Sequence, residues 1–200
     1  SFCTVLSRIL GLVRDAAMAA RFGNGPLLDA FTVAFRIPNL ARALLGEGAL
    51  ATAFLPAFLA QRNDHGRDAA HRLAVAVLMS LTGLLVLLVA AAEILLWGIG
   101  HIWALSPNAE LLRQLLAILT PYVGLICVTS QLSALLHAEG RFGLPALLPM
   151  VLNLVWLLGL WWLVPRWTVP QSQLQVMAGC VVVAGGAQLL LPLLAVRALG

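Results

Sequence analysis

Ser7–Asp15 reads SRILGLVRD, an apolar helix candidate that carries Arg8, Arg14 and Asp15. A charge at the bilayer centre costs roughly 2.5–3.5 kcal/mol on insertion scales, so three cost roughly 8–10 kcal/mol. Phe2 to Phe22 contains eight Leu, Ile, Val and Phe residues. At roughly 0.3–0.6 kcal/mol each they return about 4 kcal/mol. This segment is not stable in lipid alone and needs a polar cavity beside it. At 100° per residue, Arg8 and Asp15 share a face, and Arg14 and Arg21 share the adjoining one. All four fall within an arc of about 140°. Val5, Leu6, Leu12, Ala16, Ala19 and Ala20 form the opposite, lipid-compatible side. One polar stripe on an apolar helix predicts a bundle that lines a wet, charged cleft.

The remainder of the chain is apolar on the same scale. It has 200 residues, 62% hydrophobic and 10% charged, whereas a soluble domain is about 25% charged. The fold class expected is all-α, a polytopic transmembrane bundle of about six helices. They are placed at 2–22, 27–60, 69–103, 109–137, 144–164 and 173–199, each long enough for the ~20 residues that span a hydrocarbon core. The chain opens on Ser rather than Met and enters a helix at once, which leads us to expect a fragment. Cys3, Cys127 and Cys180 are widely spaced, so they are expected as small buried side chains rather than a disulfide or metal set. No cofactor, metal or nucleic-acid partner is expected.

Orientation follows from arginine placement. Arg62, Arg67, Arg72, Arg141 and Arg197 lie at one end of the expected bundle, and Arg21, Arg113 and Arg166 at the other. The positive-inside rule then puts the N-terminus in the cytoplasm. Trp97, Trp103, Trp161, Trp162 and Trp167 fall near helix ends, as an interfacial belt does, and Trp156 lies deeper.

The second helix adds Asp29, Arg36, Arg42 and Glu47, with Pro38 expected to kink it. Arg8, Arg14, Arg36 and Arg42 therefore stand against Asp15, Asp29 and Glu47. An excess of guanidinium suits an anionic ligand, because the planar fork binds phosphate oxygens in paired, charge-assisted hydrogen bonds. Each residue has a structural alternative. Asp29 is equally suited to cap the second helix, Arg21 to snorkel to the interface, and Asn153 to make an interhelical hydrogen bond. Arg14, deep and beside Asp15, has the weakest structural alternative.

Three blocks carry a family resemblance: SRILGLVRDAAMAARFG from Ser7, LLDAFTVAFRIPNLARALLGEGALATAFLP from Leu27, and, more weakly, GRFGLPALLPMVLN from Gly140. In them the chain resembles the MurJ/MviN lipid II flippases of the MOP exporter superfamily. The resemblance implies a two-lobed protein of about fourteen helices. Residues 1–200 would then form its N-terminal lobe, with the C-terminal lobe beyond this chain. It implies a transporter rather than an enzyme, in the bacterial inner membrane. The partners implied are membrane lipids and lipid II, the undecaprenyl-diphosphate-linked peptidoglycan precursor, moved to the outer leaflet by alternating access. The family's important residues fall on Arg8, Arg14, Asp15, Asp29 and Arg42, with Arg36 at a position that is commonly basic. The runner-up is another MOP exporter that moves a different polyprenyl-linked glycan. A cation exporter would lead with acids in its cleft. A polyprenyl-phosphate enzyme would cluster acids for Mg²⁺, but Asp64 and Asp68 are interleaved with Arg62 and Arg67.

Overall fold

The structure, a computed structural model, describes residues 2–46 and 49–198. Glu47, a secondary site candidate, lies outside them. The described residues are helical and contain no strand. Helix α1 spans Phe2–Phe22 and α2 spans Pro26–Ala41. Between them Gly23 adopts φ +68° and its amide bonds to the Ala19 carbonyl at 2.9 Å. That left-handed stop is open to glycine at no steric cost. Pro26 then starts α2, where a missing N–H costs nothing.

The 27–60 stretch, expected as one helix kinked at Pro38, is divided. α2 runs through Pro38, which is buried, and ends at Ala41. A π-helical turn follows at Arg42–Gly46, and α3 spans Ala49–His65. The break comes after the proline. The Arg42 amide is shared between the Asn39 and Pro38 carbonyls, a three-centre arrangement common at helix ends. The helix widens there.

Beyond α3 the expected order holds. α4 is Arg67–Ile102 and α5 is Pro107–Ala138, with Ser106 capping α5 through the Ala109 amide at 3.4 Å. α6 is Gly143–Leu158, continued by a π turn at Gly159–Leu163 and a 3₁₀ turn at Val164–Arg166. α7 is Pro170–Arg197. Four of these segments are long and apolar enough to cross a membrane: α4, α5, α7 and Gly143–Arg166. α1 has 21 residues and carries four charges, and α2 and α3 have 16 and 17 residues. Leu12, Leu87 and Ile94 are each 70% exposed, as expected of lipid-facing side chains. The five belt tryptophans are exposed and Trp156 is buried.

The core gathers on α5, which packs against α7, α2 and α4. Leu111, Leu115, Leu119 and Tyr122 of α5 are almost fully buried, along with Leu174, Met177 and Val181 of α7. α7 approaches closely because Gly185 faces the Tyr122 ring; a Cβ there would collide with it. Small residues at such interfaces let membrane helices pack backbone to backbone. Cys127 and Cys180 are buried thiols, as expected; the Cys3 side chain is outside the description.

Two polar clamps hold the bundle. At one end Arg113 donates to Glu110 at 2.8 and 2.6 Å and to the Leu96 carbonyl of α4 at 3.2 Å. Gln114 donates to the same carboxylate and accepts from Gln175 of α7 at 2.6 Å. Midway along, the fully buried Gln188 of α7 donates to the Leu148 carbonyl of α6 at 2.7 Å. Gln188→Leu removes an interhelical bond of the kind worth ~1–2 kcal/mol in membrane peptides. The unfolding midpoint of the purified full-length protein is expected to fall by a few degrees. An unchanged midpoint would show that this bond contributes nothing net.

Candidate functional site

α1 lies at the edge of the bundle and packs mainly on α6. Ser7, Gly11, Arg14 and Met18, at spacings of four, three and four, form the contact face. Met18 is buried there, and a Cβ added at Gly11 would stand 4.0 Å from the Asn153 amide nitrogen. Asn153, itself buried, donates to the Ser7 carbonyl at 3.2 Å and accepts from Arg14 Nη1 at 3.3 Å. The interhelical bond expected of Asn153 is made, and its partner is the arginine.

Arg14 therefore points toward α6, and its side chain is only 18% exposed. Its Nε donates to Asp15 Oδ1 at 2.9 Å, and Nη2 lies 2.8 Å from the same oxygen. The guanidinium carbon sits 4.6 Å from the Trp156 ring centre and 5.8 Å from that of Phe35. A desolvated cation over an aromatic face gains ~2 kcal/mol. Phe35 and Trp156 meet edge to face at 4.9 Å, and Phe31 braces Trp156 at 5.5 Å. This is a built seat for one guanidinium. Three of its five N–H groups are engaged, Nε and Nη2 by Asp15 and Nη1 by Asn153. One N–H on each Nη nitrogen remains.

The Phe35 ring also stacks on Tyr122, 6.4 Å away. Tyr122 in turn lines a cavity of about 420 Å³ among α2, α5, α6 and α7. Arg42 and Asn39 enter this cavity from the end of α2. Ser130, Ser133 and His137 enter it from α5 and Gln188 from α7. Thr129, Ser130 and Ser133 return their hydroxyl protons to carbonyls four residues back on α5, so their oxygens act as acceptors. Arg14 and Arg42 both act electrostatically on Tyr122. One aromatic unit thus joins the Arg14 seat to the Arg42 cavity.

The other expected residues stand apart. Arg8, Asp29 and Arg36 are exposed, and among the described residues none of them makes an ion pair. Asp29 lies in the first turn of α2, but that helix has no side-chain cap. Asp15, 66% exposed, is the outward partner of Arg14. The helical stripe thus splits. Arg14 turns toward the bundle, while Arg8 and Arg21 are exposed. The sequence reading did not find Phe35 and Trp156. The signal was present: Trp156 follows Asn153 by three residues and Phe35 follows Phe31 by four, so each pair shares a helix face.

Comparison with known proteins agrees with this architecture. Residues 18–200 match the family described as lipid II flippase MurJ. The probable lipid II flippase MurJ of Rhizobium tropici is 32% identical over 98% of the chain. The lipid II flippase MurJ of Burkholderia cenocepacia is 34% identical over 95%. The chain spans only 38% and 37% of the lengths of these two relatives. A solved structure of lipid II flippase MurJ in an inward closed conformation superposes with a TM-score of 0.72 at 25% identity. It covers 94% of this chain, and the chain covers 40% of it. The matched stretch, the identity to both relatives and the superposition agree, and the chain belongs to the lipid II flippase MurJ family.

Proposed function

We propose that this chain is the N-terminal lobe of a lipid II flippase in the bacterial inner membrane, with its N-terminus in the cytoplasm. It moves the undecaprenyl-diphosphate-linked precursor to the outer leaflet. The observation that carries this reading is the Arg14 seat. A guanidinium held by two aromatic rings, Asp15 and Asn153 keeps two N–H groups unused, and its aromatic seat reaches through Tyr122 to a cavity lined by Arg42. A diphosphate offers the oxygens that such a fork matches. Asp15 neutralises part of the charge, so the anion is held without being trapped. Arg8, Arg36 and Asp29 line the outer approach, and Glu47 belongs to the same charged set. The polyprenyl tail stays in lipid. A second lobe closes the cleft, and rocking of the two lobes exposes the site to each side in turn, as in alternating-access transporters. No bond is made or broken.

The test is rescue by the full-length gene in a bacterium depleted of its own lipid II flippase. Normal cell-wall growth is the expected result. Failure to rescue despite good membrane expression would move the substrate to another polyprenyl-linked glycan.

A further inference from the structure

The charged ends of α3, α4, α5 and α7 meet at the end of the bundle opposite the tryptophans. There Glu139, just after α5, accepts from Arg62 of α3 at 3.2 Å and from Arg67 of α4 at 3.4 Å. These residues open into a cavity of about 400 Å³ that Asp68, His71 and Arg72 also line. A second cavity of about 460 Å³ abuts it, sharing His71, Leu135 and Val196. Its walls are apolar, including Ala74, Val77, Leu132 and Leu193, and Arg197 stands at its charged end. A third hollow of about 340 Å³ continues along α4 from Val77 to Leu84. Neither Arg14 nor Arg42 lines any of the three.

Together they form one amphipathic groove. From His71 to Leu84 is 13 residues of α4, about 20 Å at the helical rise. One leaflet of hydrocarbon is about 15 Å deep, half of the ~30 Å core. The apolar track thus spans a single leaflet and ends where the charges begin. Four arginines (62, 67, 72 and 197) face two carboxylates (Asp68 and Glu139), leaving two positive charges with His neutral. Arg62 and Arg67 are committed to Glu139. Among the described residues Arg72 and Arg197 are exposed and have no ion pair. A soluble anion has no use for the apolar track, and a neutral lipid has none for the surplus charge.

We propose that this groove is a binding site for one anionic phospholipid. The phosphate sits between Arg72 and Arg197 near His71, and an acyl chain lies along α4 toward Leu84. Basic pockets between membrane helices recognise anionic headgroups in this way.

The experiment places the full-length protein in phosphatidylcholine vesicles with a trace of spin-labelled phosphatidylglycerol or spin-labelled phosphatidylcholine. The motionally restricted fraction of each is read by electron paramagnetic resonance. The intact protein is expected to restrict the anionic probe several-fold more strongly than the neutral one. Arg72→Gln with Arg197→Gln is expected to bring that ratio close to one. Val77→Trp, which fills the track, is expected to remove the excess restriction of the anionic probe and leave both probes at the level of the general lipid-facing surface. Equal restriction of the two probes by the intact protein would overturn the proposal. So would a preference that survives the double arginine substitution, or one that excess inorganic phosphate abolishes. If Val77→Trp does not fold, the arginine variant still decides, because both side chains are exposed.

Discussion

Arg14→Ala in the full-length protein is expected to lower lipid II translocation in reconstituted vesicles by at least ~30-fold and to abolish rescue in the depleted strain. In the proposed complex Arg14 and the diphosphate form a hydrogen-bonded charge pair; truncating one member of such a pair, when buried, costs 2–5 kcal/mol in binding systems, and 2 kcal/mol is a factor of ~30. Arg14→Lys is expected to fail nearly as badly. An ammonium cannot lie flat between Trp156 and Phe35 while reaching Asp15 and Asn153 together. Trp156→Leu keeps the charge and removes the better of the two rings. Its expected loss is smaller, ~2–30-fold, from 0.5–2 kcal/mol of cation–π energy. Full activity in a well-expressed Arg14→Ala protein would remove this residue from the mechanism, while rescue by the unaltered gene would still identify the substrate. The two outcomes are separable.

What the sequence made legible here was chiefly what local chemistry determines. α1 ends at Phe22, as expected, because Gly23 and Pro26 leave no other local solution. The bounds of α4 and α5 lie within two residues of those expected. At the N-terminus of α5 the added residues are Pro107 and Asn108, since Ser106 rather than a later residue supplies the cap. The break after α2 was misplaced for a physical reason. Proline is a visible marker of lost hydrogen bonding, but α2 continues past Pro38 and widens only at Arg42. Nothing in the local composition announces a shared amide.

Tertiary partners determine the remainder, and periodicity does not reveal them. The helical repeat groups Arg8, Arg14, Asp15 and Arg21 within one arc, yet packing on α6 divides that arc. Asn153 and Trp156 reach Arg14 from more than a hundred positions away. Asn39 was not singled out in the sequence, yet it lines the Arg42 cavity. The charge count pointed to an anion site. Only the fold shows that Arg14 is held in a fixed pose while Arg8 and Arg36 stand exposed.

That pose depends on a contact that Arg14 does not itself make. Gly185→Leu is expected to destabilise the purified full-length protein by on the order of 3 kcal/mol, at the upper end of overpacking penalties, and to abolish rescue. The added side chain must displace the Tyr122 ring, which is 1% exposed and cannot swing into solvent. Tyr122 is stacked on Phe35, Phe35 meets Trp156, and Arg14 lies over both. A shift of α7 away from α5 therefore reaches the guanidinium seat through three rings. Gly186 is the control, because a Cβ there meets nothing within 4 Å. Gly186→Ala should leave the stability unchanged or raise it by up to ~1 kcal/mol, since alanine is the better helix former. If Gly185→Leu unfolds at the same temperature as the unaltered protein, the α5–α7 approach is not tight. If it folds normally but does not transport, the aromatic relay to Arg14 carries the defect.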